Sequence, residues 1–136
     1  MKKLEFKLLK KTMIFNTVDA AYSIMAVQRG TMIVNVAVRV SEIFNNMTSI
    51  TIGDDTTATG FGTVTIGSLQ LENLTGPYLC SQFTGDGATT NAWRVYTDTN
   101  IAALGTSPAI KATYVSAGTP TTGVMTIYII YTEGVE

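Results

Sequence analysis

Asp54 and Asp55 stand side by side after Gly53, and Asp86 sits between Gly85 and Gly87. Loops this rich in oxygen bind calcium when several carboxylates and carbonyls converge. Neither segment follows the calcium-loop template, and aspartate beside glycine is ordinary hairpin chemistry. Both readings, turn and ion site, stand at this point, and the turn needs no further assumption. Spacing also leaves a glycosidase-type carboxylate pair open, but ten acids in 136 residues always permit some pair. The chain has no histidine, so imidazole acid–base catalysis and the Ser-His-Asp and Cys-His nucleophile systems are absent, as are His-containing metal sites. Gly60-Phe61-Gly62 lacks the third glycine and following helix of a dinucleotide site, and no phosphate-cradling G-x-x-x-x-G-K-[ST] occurs. The sequence therefore predicts no catalytic, cofactor or metal residues.

Asn46-Met47-Thr48 and Asn73-Leu74-Thr75 match the glycosylation triplet. With threonine this frequent, chance accounts for both. Trp93, Tyr96, Tyr78, Phe83 and Tyr114 are candidates for a sugar-stacking groove or for core and intersubunit packing. Interleaved bases are missing, since only Arg94 and Lys111 fall after residue 40. No nucleic-acid partner is expected for the body of the chain. The single cysteine, Cys80, excludes an internal disulfide and a cysteine zinc cage; a small buried hydrophobe is its simplest role.

Net charge is −1, but it is unevenly distributed. Residues 1–12 carry Lys2, Lys3, Lys7, Lys10 and Lys11 against Glu5 alone, whereas the remainder holds four bases and nine acids. This segment reads either as a basic arm reaching an acidic neighbour or as a first strand with Leu4, Phe6 and Leu8 inward. The lysines interrupt any signal-peptide core, and no apolar run is long enough for a membrane helix. Synthesis in a cytoplasm and no membrane partner are the expectations. Apolar residues make up 46% and charged residues 14% of the chain, against roughly a quarter charged in an average domain. So little surface charge points to an exterior partly covered by neighbours, hence to oligomerisation.

The elements that must carry these residues are strands. In Thr31–Val40, residues Met32, Val34, Val36, Val38 and Val40 share one parity, and Asn35, Ala37 and Arg39 the other, with Ile33 the one large apolar residue among them. That is the period of a half-buried strand. In Gly123–Tyr131 both parities are apolar, Val124, Thr126, Tyr128 and Ile130 against Met125, Ile127, Ile129 and Tyr131. Such a strand belongs inside a sheet, covered on both faces. Further strands are expected at 4–9, 13–17, 22–27, 49–52, 63–66, 78–83, 92–96 and 109–115, divided by Gly-, Asn- and Pro-rich turns. Short helical turns are expected at 18–21, 41–44 and 69–74. The fold class is an all-β antiparallel sandwich of roughly eight to ten strands, with residues 1–12 as arm or first strand and 13–136 as one domain.

The ordered combination Ile33-Val34-Asn35-Val36-Ala37-Val38-Arg39-Val40, Ser41-Glu42-Ile43-Phe44, Ile50-Thr51-Ile52-Gly53-Asp54, Gly60-Phe61, Ile110-Lys111-Ala112, Gly118-Thr119 and Gly123–Tyr131 resembles small structural proteins of tailed-bacteriophage virions. The resemblance spans about residues 22–131 and leaves out the lysine-rich segment. It implies a jelly-roll-like sandwich, often trimeric, in a head decoration (cement) protein that binds the major capsid protein or other virion proteins on the capsid surface. Tail- or head-fibre adaptors and glycan-binding modules, with Trp93 or Tyr96 as stacking platform, are the alternative. The expected contact residues are Lys2, Lys3, Lys7, Lys10 and Lys11 with Met125, Ile127, Ile129 and Tyr131.

Overall fold

The computed structural model describes residues 5–14, 22–58, 60–65, 74–78, 94–116 and 118–134. Side chains of 64, 65, 74–78, 94, 115 and 116 lie outside that description, as do the helical turn expected at 18–21, residues 69–73 of the turn expected at 69–74 and residues 79–83 of the strand expected at 78–83. The strands are β1 (Lys7–Ile14), β2 (Tyr22–Ala26), β3 (Met32–Glu42), β4 (Met47–Gly53), β5 (Gly62–Thr65), β6 (Leu74–Tyr78), β7 (Arg94–Val95), β8 (Ala109–Ser116) and β9 (Val124–Thr132), with one helix, α1 (Asp98–Ala103).

All pairings are antiparallel, in two sheets. Sheet A runs β1-β9-β3-β6, with β7 also on β3, and sheet B runs β2-β8-β4-β5. With β6 and β7 counted as one interrupted edge strand, this is the strand order of a jelly roll.

Hydrophobic alternation sets the register. Val36, Val38 and Val40 on β3 and Met125, Ile127 and Ile129 on β9 are fully buried, as are Ile50 and Ile52 on β4 and Ile110 and Ala112 on β8. These rows meet in one core with Met13, Phe44, Phe61 and Tyr96. Burying each such side chain contributes about 1.5–3 kcal/mol. The parity expected over Thr31–Val40 breaks at one point. Register shifts between Ile33 and Asn35, and this bulge turns Ile33 into the core while leaving Val34 half-buried.

β1 corrects the expected pair of strands at 4–9 and 13–17. Residues 7–14 pair continuously with β9, Lys7 opposite Tyr131 and Ile14 opposite Val124. Leu9, Lys11 and Met13 take the inner parity, so Phe6 and Leu8, expected inward, stand 64% and 65% exposed. Ser41 and Glu42 extend β3 where a helical turn was expected. Gly76-Pro77, a pair whose residue types suit a turn, lies within β6, on a sheet edge where proline's missing N–H is tolerated, and where register slips between Val36 and Val38. Residues 98–103, unassigned in the sequence reading, form α1 on a capping box between Thr97 and Asn100. No helix of the described residues is long and apolar enough to cross a membrane.

Candidate functional site

Asp54, the first chemical candidate, follows β4 as the buried hub of a turn. It is 3% exposed. Its Oδ1 accepts hydrogen bonds from the Thr56 N–H at 3.0 Å, the Thr56 hydroxyl at 2.7 Å and the Thr57 N–H at 2.9 Å. Its Oδ2 accepts one from the fully buried Tyr96 hydroxyl at 2.9 Å. The Tyr96 backbone is fixed in turn, its N–H donating to the Thr31 carbonyl at 2.9 Å and its carbonyl accepting from Gly30 at 2.8 Å. Asp54 follows a strand of sheet B and Tyr96 follows a strand of sheet A, so this bond clasps the two sheets. Burial of the Tyr96 ring also removes it as a stacking platform for sugar. Trp93, the other such candidate, lies outside the described residues, as do Phe83, Cys80 and Asp86.

Asp55 points away from Asp54 in function: its carboxylate accepts from Lys111 Nζ at 2.8 and 3.0 Å. Among the described residues no group of three or more His, Cys, Asp or Glu side chains could hold a metal ion. Asn46, of the first glycosylation triplet, donates its side-chain amide to the Thr119 carbonyl at 3.0 Å. Beside it Asn45 Oδ1 accepts from the Thr121 and Thr122 N–H groups at 2.8 and 3.1 Å. The two asparagines thereby fasten the β3–β4 connection to the segment before β9. Both serve loop geometry.

The expected contact residues fall in different places. Lys2 and Lys3 lie outside the described residues. Lys7 Nζ donates to Glu133 at 3.1 Å, and that hydrogen bond and the carboxylate's charge raise the ammonium above its ordinary 10.5. Lys11 lies on the inner parity of β1, its Nζ 5.7 Å from the centroid of the Tyr22 ring, closing the seam between the first strands of the two sheets. Lys10 projects outward on β1. Met125, Ile127 and Ile129, the row expected to meet a neighbour, are fully buried in the sandwich core, and Tyr131 packs half-buried against it. A row consumed by the monomer's own core is closed to a partner. The parity of β9 that faces outward is Val124, Thr126, Tyr128 and Ile130.

The arrangement is thus an antiparallel jelly-roll sandwich whose buried polar groups hold loops and sheets together, with its accessible chemistry on the outer faces of the sheets. In fold it is similar to a chain from the acid-stable capsid structure of the Helicobacter pylori bacteriophage KHP30, with a TM-score of 0.60 at 19% identity over 97% of this chain and 93% of that one. A chain from the capsid asymmetric unit of cyanophage Pam1 aligns with a TM-score of 0.49 at 12% identity, covering 96% of this chain and 85% of that one. No protein-family model matches the sequence, and no curated protein does.

Proposed function

We propose that the chain is a structural protein of a tailed-bacteriophage virion, and specifically a decoration (cement) protein that binds the assembled head shell. The observation that carries this reading is the sandwich shared, nearly end to end on both chains, with the chain from the KHP30 capsid structure. The virion-protein motif order in residues 22–131 supports it independently of the fold. The chemistry agrees: Asp54 and Tyr96, the buried polar pair, are spent on holding the sheets together. A protein that binds assembled shell and not free subunits stabilises the shell by mass action. Major capsid protein, or another virion protein at the capsid surface, is the proposed partner, with a homotrimer as the proposed working unit.

The test is occupancy and stability of particles assembled from the genome that encodes the chain. Mass spectrometry of gradient-purified heads is expected to find it in symmetric stoichiometry with the shell protein. Adding it to heads lacking it is expected to raise their disruption temperature. Purified heads without the chain, and with unchanged stability on its addition, would remove this reading.

A further inference from the structure

β1 and β9 lie side by side in sheet A but are held there by different means. β9 runs between β1 and β3 and sends Met125, Ile127 and Ile129, all fully buried, into the core. β1 stands at the edge, and β9 is its one strand neighbour among the described residues. Of its eight residues Met13 alone is fully buried. Leu9 is partly buried against the core. Leu8, Lys10, Thr12 and Ile14, on the other parity, are exposed.

Between Leu9 and Met13 on the inner parity comes Lys11, opposite Ile127. A charge in the inner row of an edge strand discourages pairing with foreign strands. Here it also takes from the middle of β1 the apolar contact that would bind it to the core. The ammonium turns instead to the Tyr22 ring, 5.7 Å from its centroid. Other side-chain ties of β1 lie at the surface: Lys7 to Glu133 at 3.1 Å, both exposed, and the Thr12 hydroxyl 3.5 Å from that of Thr126. An exposed ion pair adds little to stability. Segments with few buried apolar contacts and solvent-facing backbone bonds open at a lower free energy than the whole domain.

We infer that β1 is a strap that opens from sheet A as a unit while the rest of the sandwich stays folded. Opening draws Met13 out of the core and turns β9 from an inner strand into an edge, with the eight positions that pair with β1 bared to water. Lys11 sets how readily the strap leaves. The device resides in the single chain and needs neither a shell nor a second copy.

The methionines are built-in probes. Met25 and Met32 are each 8% exposed, Met47 is 1% exposed and Met13 is 0% exposed. Hydrogen peroxide oxidises a thioether that it can reach: sulfur gives an electron pair to one peroxide oxygen, the O–O bond breaks, and the sulfoxide and water result. Static exposure places Met13 last, and global unfolding bares Met13 and Met47 together. The full chain is treated with dilute hydrogen peroxide, and oxidation at each methionine is followed by mass spectrometry of its peptides. Met13 is expected to oxidise at least about tenfold faster than Met47. Lys11→Leu supplies the missing apolar contact and is expected to slow Met13 by about tenfold, with Met47 unchanged as the check that the core is intact. Hydrogen exchange gives a second readout without substitution: β1 amides bonded to β9 are expected to exchange at least about tenfold faster than those joining β9 to β3. Met13 oxidised no faster than Met47, equal amide protection in the two ladders, or a folded Lys11→Leu chain with Met13 as reactive as before overturns the inference.

Discussion

Tyr96→Phe removes one oxygen atom and isolates the clasp between the sheets. The hydroxyl is fully buried and donates to Asp54 Oδ2 at 2.9 Å. Without it, a carboxyl oxygen held in a nearly solvent-free site loses that donor, while the ring keeps its packing. A hydrogen bond to a carboxyl group of this kind is worth about 1.5–3 kcal/mol. For a domain of this size each kcal/mol moves the melting temperature by about 4 °C, so Tyr96→Phe is expected to melt about 6–12 °C lower. Urea unfolding should show a lower midpoint with an unchanged slope, because the surface exposed on unfolding is the same. Asp54→Ala is expected to cost more, since Oδ1 also holds Thr56 and Thr57. The double variant closes a cycle whose coupling term reports the Tyr96–Asp54 bond alone, expected at about 1.5 kcal/mol or above. A loss below about 0.5 kcal/mol for Tyr96→Phe, with coupling near zero, is within the range of a neutral substitution and would refute the clasp.

The same reasoning with opposite sign applies to Thr132, whose buried hydroxyl has no partner among the described residues. Thr132→Val is expected to raise stability by up to about 1 kcal/mol in urea unfolding. Gly123 has φ +138°, and a Cβ there would enter the Phe44 ring. Gly123→Ala is expected to cost more than about 2 kcal/mol, with the steric part recovered in Gly123→Ala/Phe44→Leu by thermal melting. Ile127→Ala opens a cavity in the middle of β9 and is expected to cost about 2–5 kcal/mol by the same assay. Lys7 should titrate above 10.5 by NMR, its hydrogen bond to Glu133 being the cause, and Glu133→Gln should bring it back down. Because its folded pKa is raised, the contribution of Lys7 is complete below 10.5 and is lost as pH rises through the folded value.

The sandwich was legible where alternation is strong. The Val36, Val38, Val40 row and the central position of β9 follow from side-chain period alone. Which parity of β9 faces inward was not legible, because both are apolar and only pairing with β1 and β3 decides it. The β1 parity was misjudged for a related reason. Phe6 and Leu8 look like core residues beside lysines, yet Met13 opposite Met125 fixes the register and turns them outward. The helix escaped because its capping box uses Asn100 where glutamate or glutamine is the usual signature. Asp54 was visible as a turn residue, but its partner lies 42 positions away, and no local pattern announces that. The outward rows of sheet A come from three strands whose adjacency is tertiary, so no local pattern shows them.

The first strand described pairs with the last, and the last also pairs with β3. Sheet A therefore has no middle until residue 132 has left the ribosome, and every earlier portion of the polypeptide emerges with half its oily interior uncovered. Completion of sheet A in consequence waits for β9, is dominated by contacts distant along the chain and is correspondingly slow. A nascent molecule of this kind is vulnerable to clumping until β9 has emerged and paired.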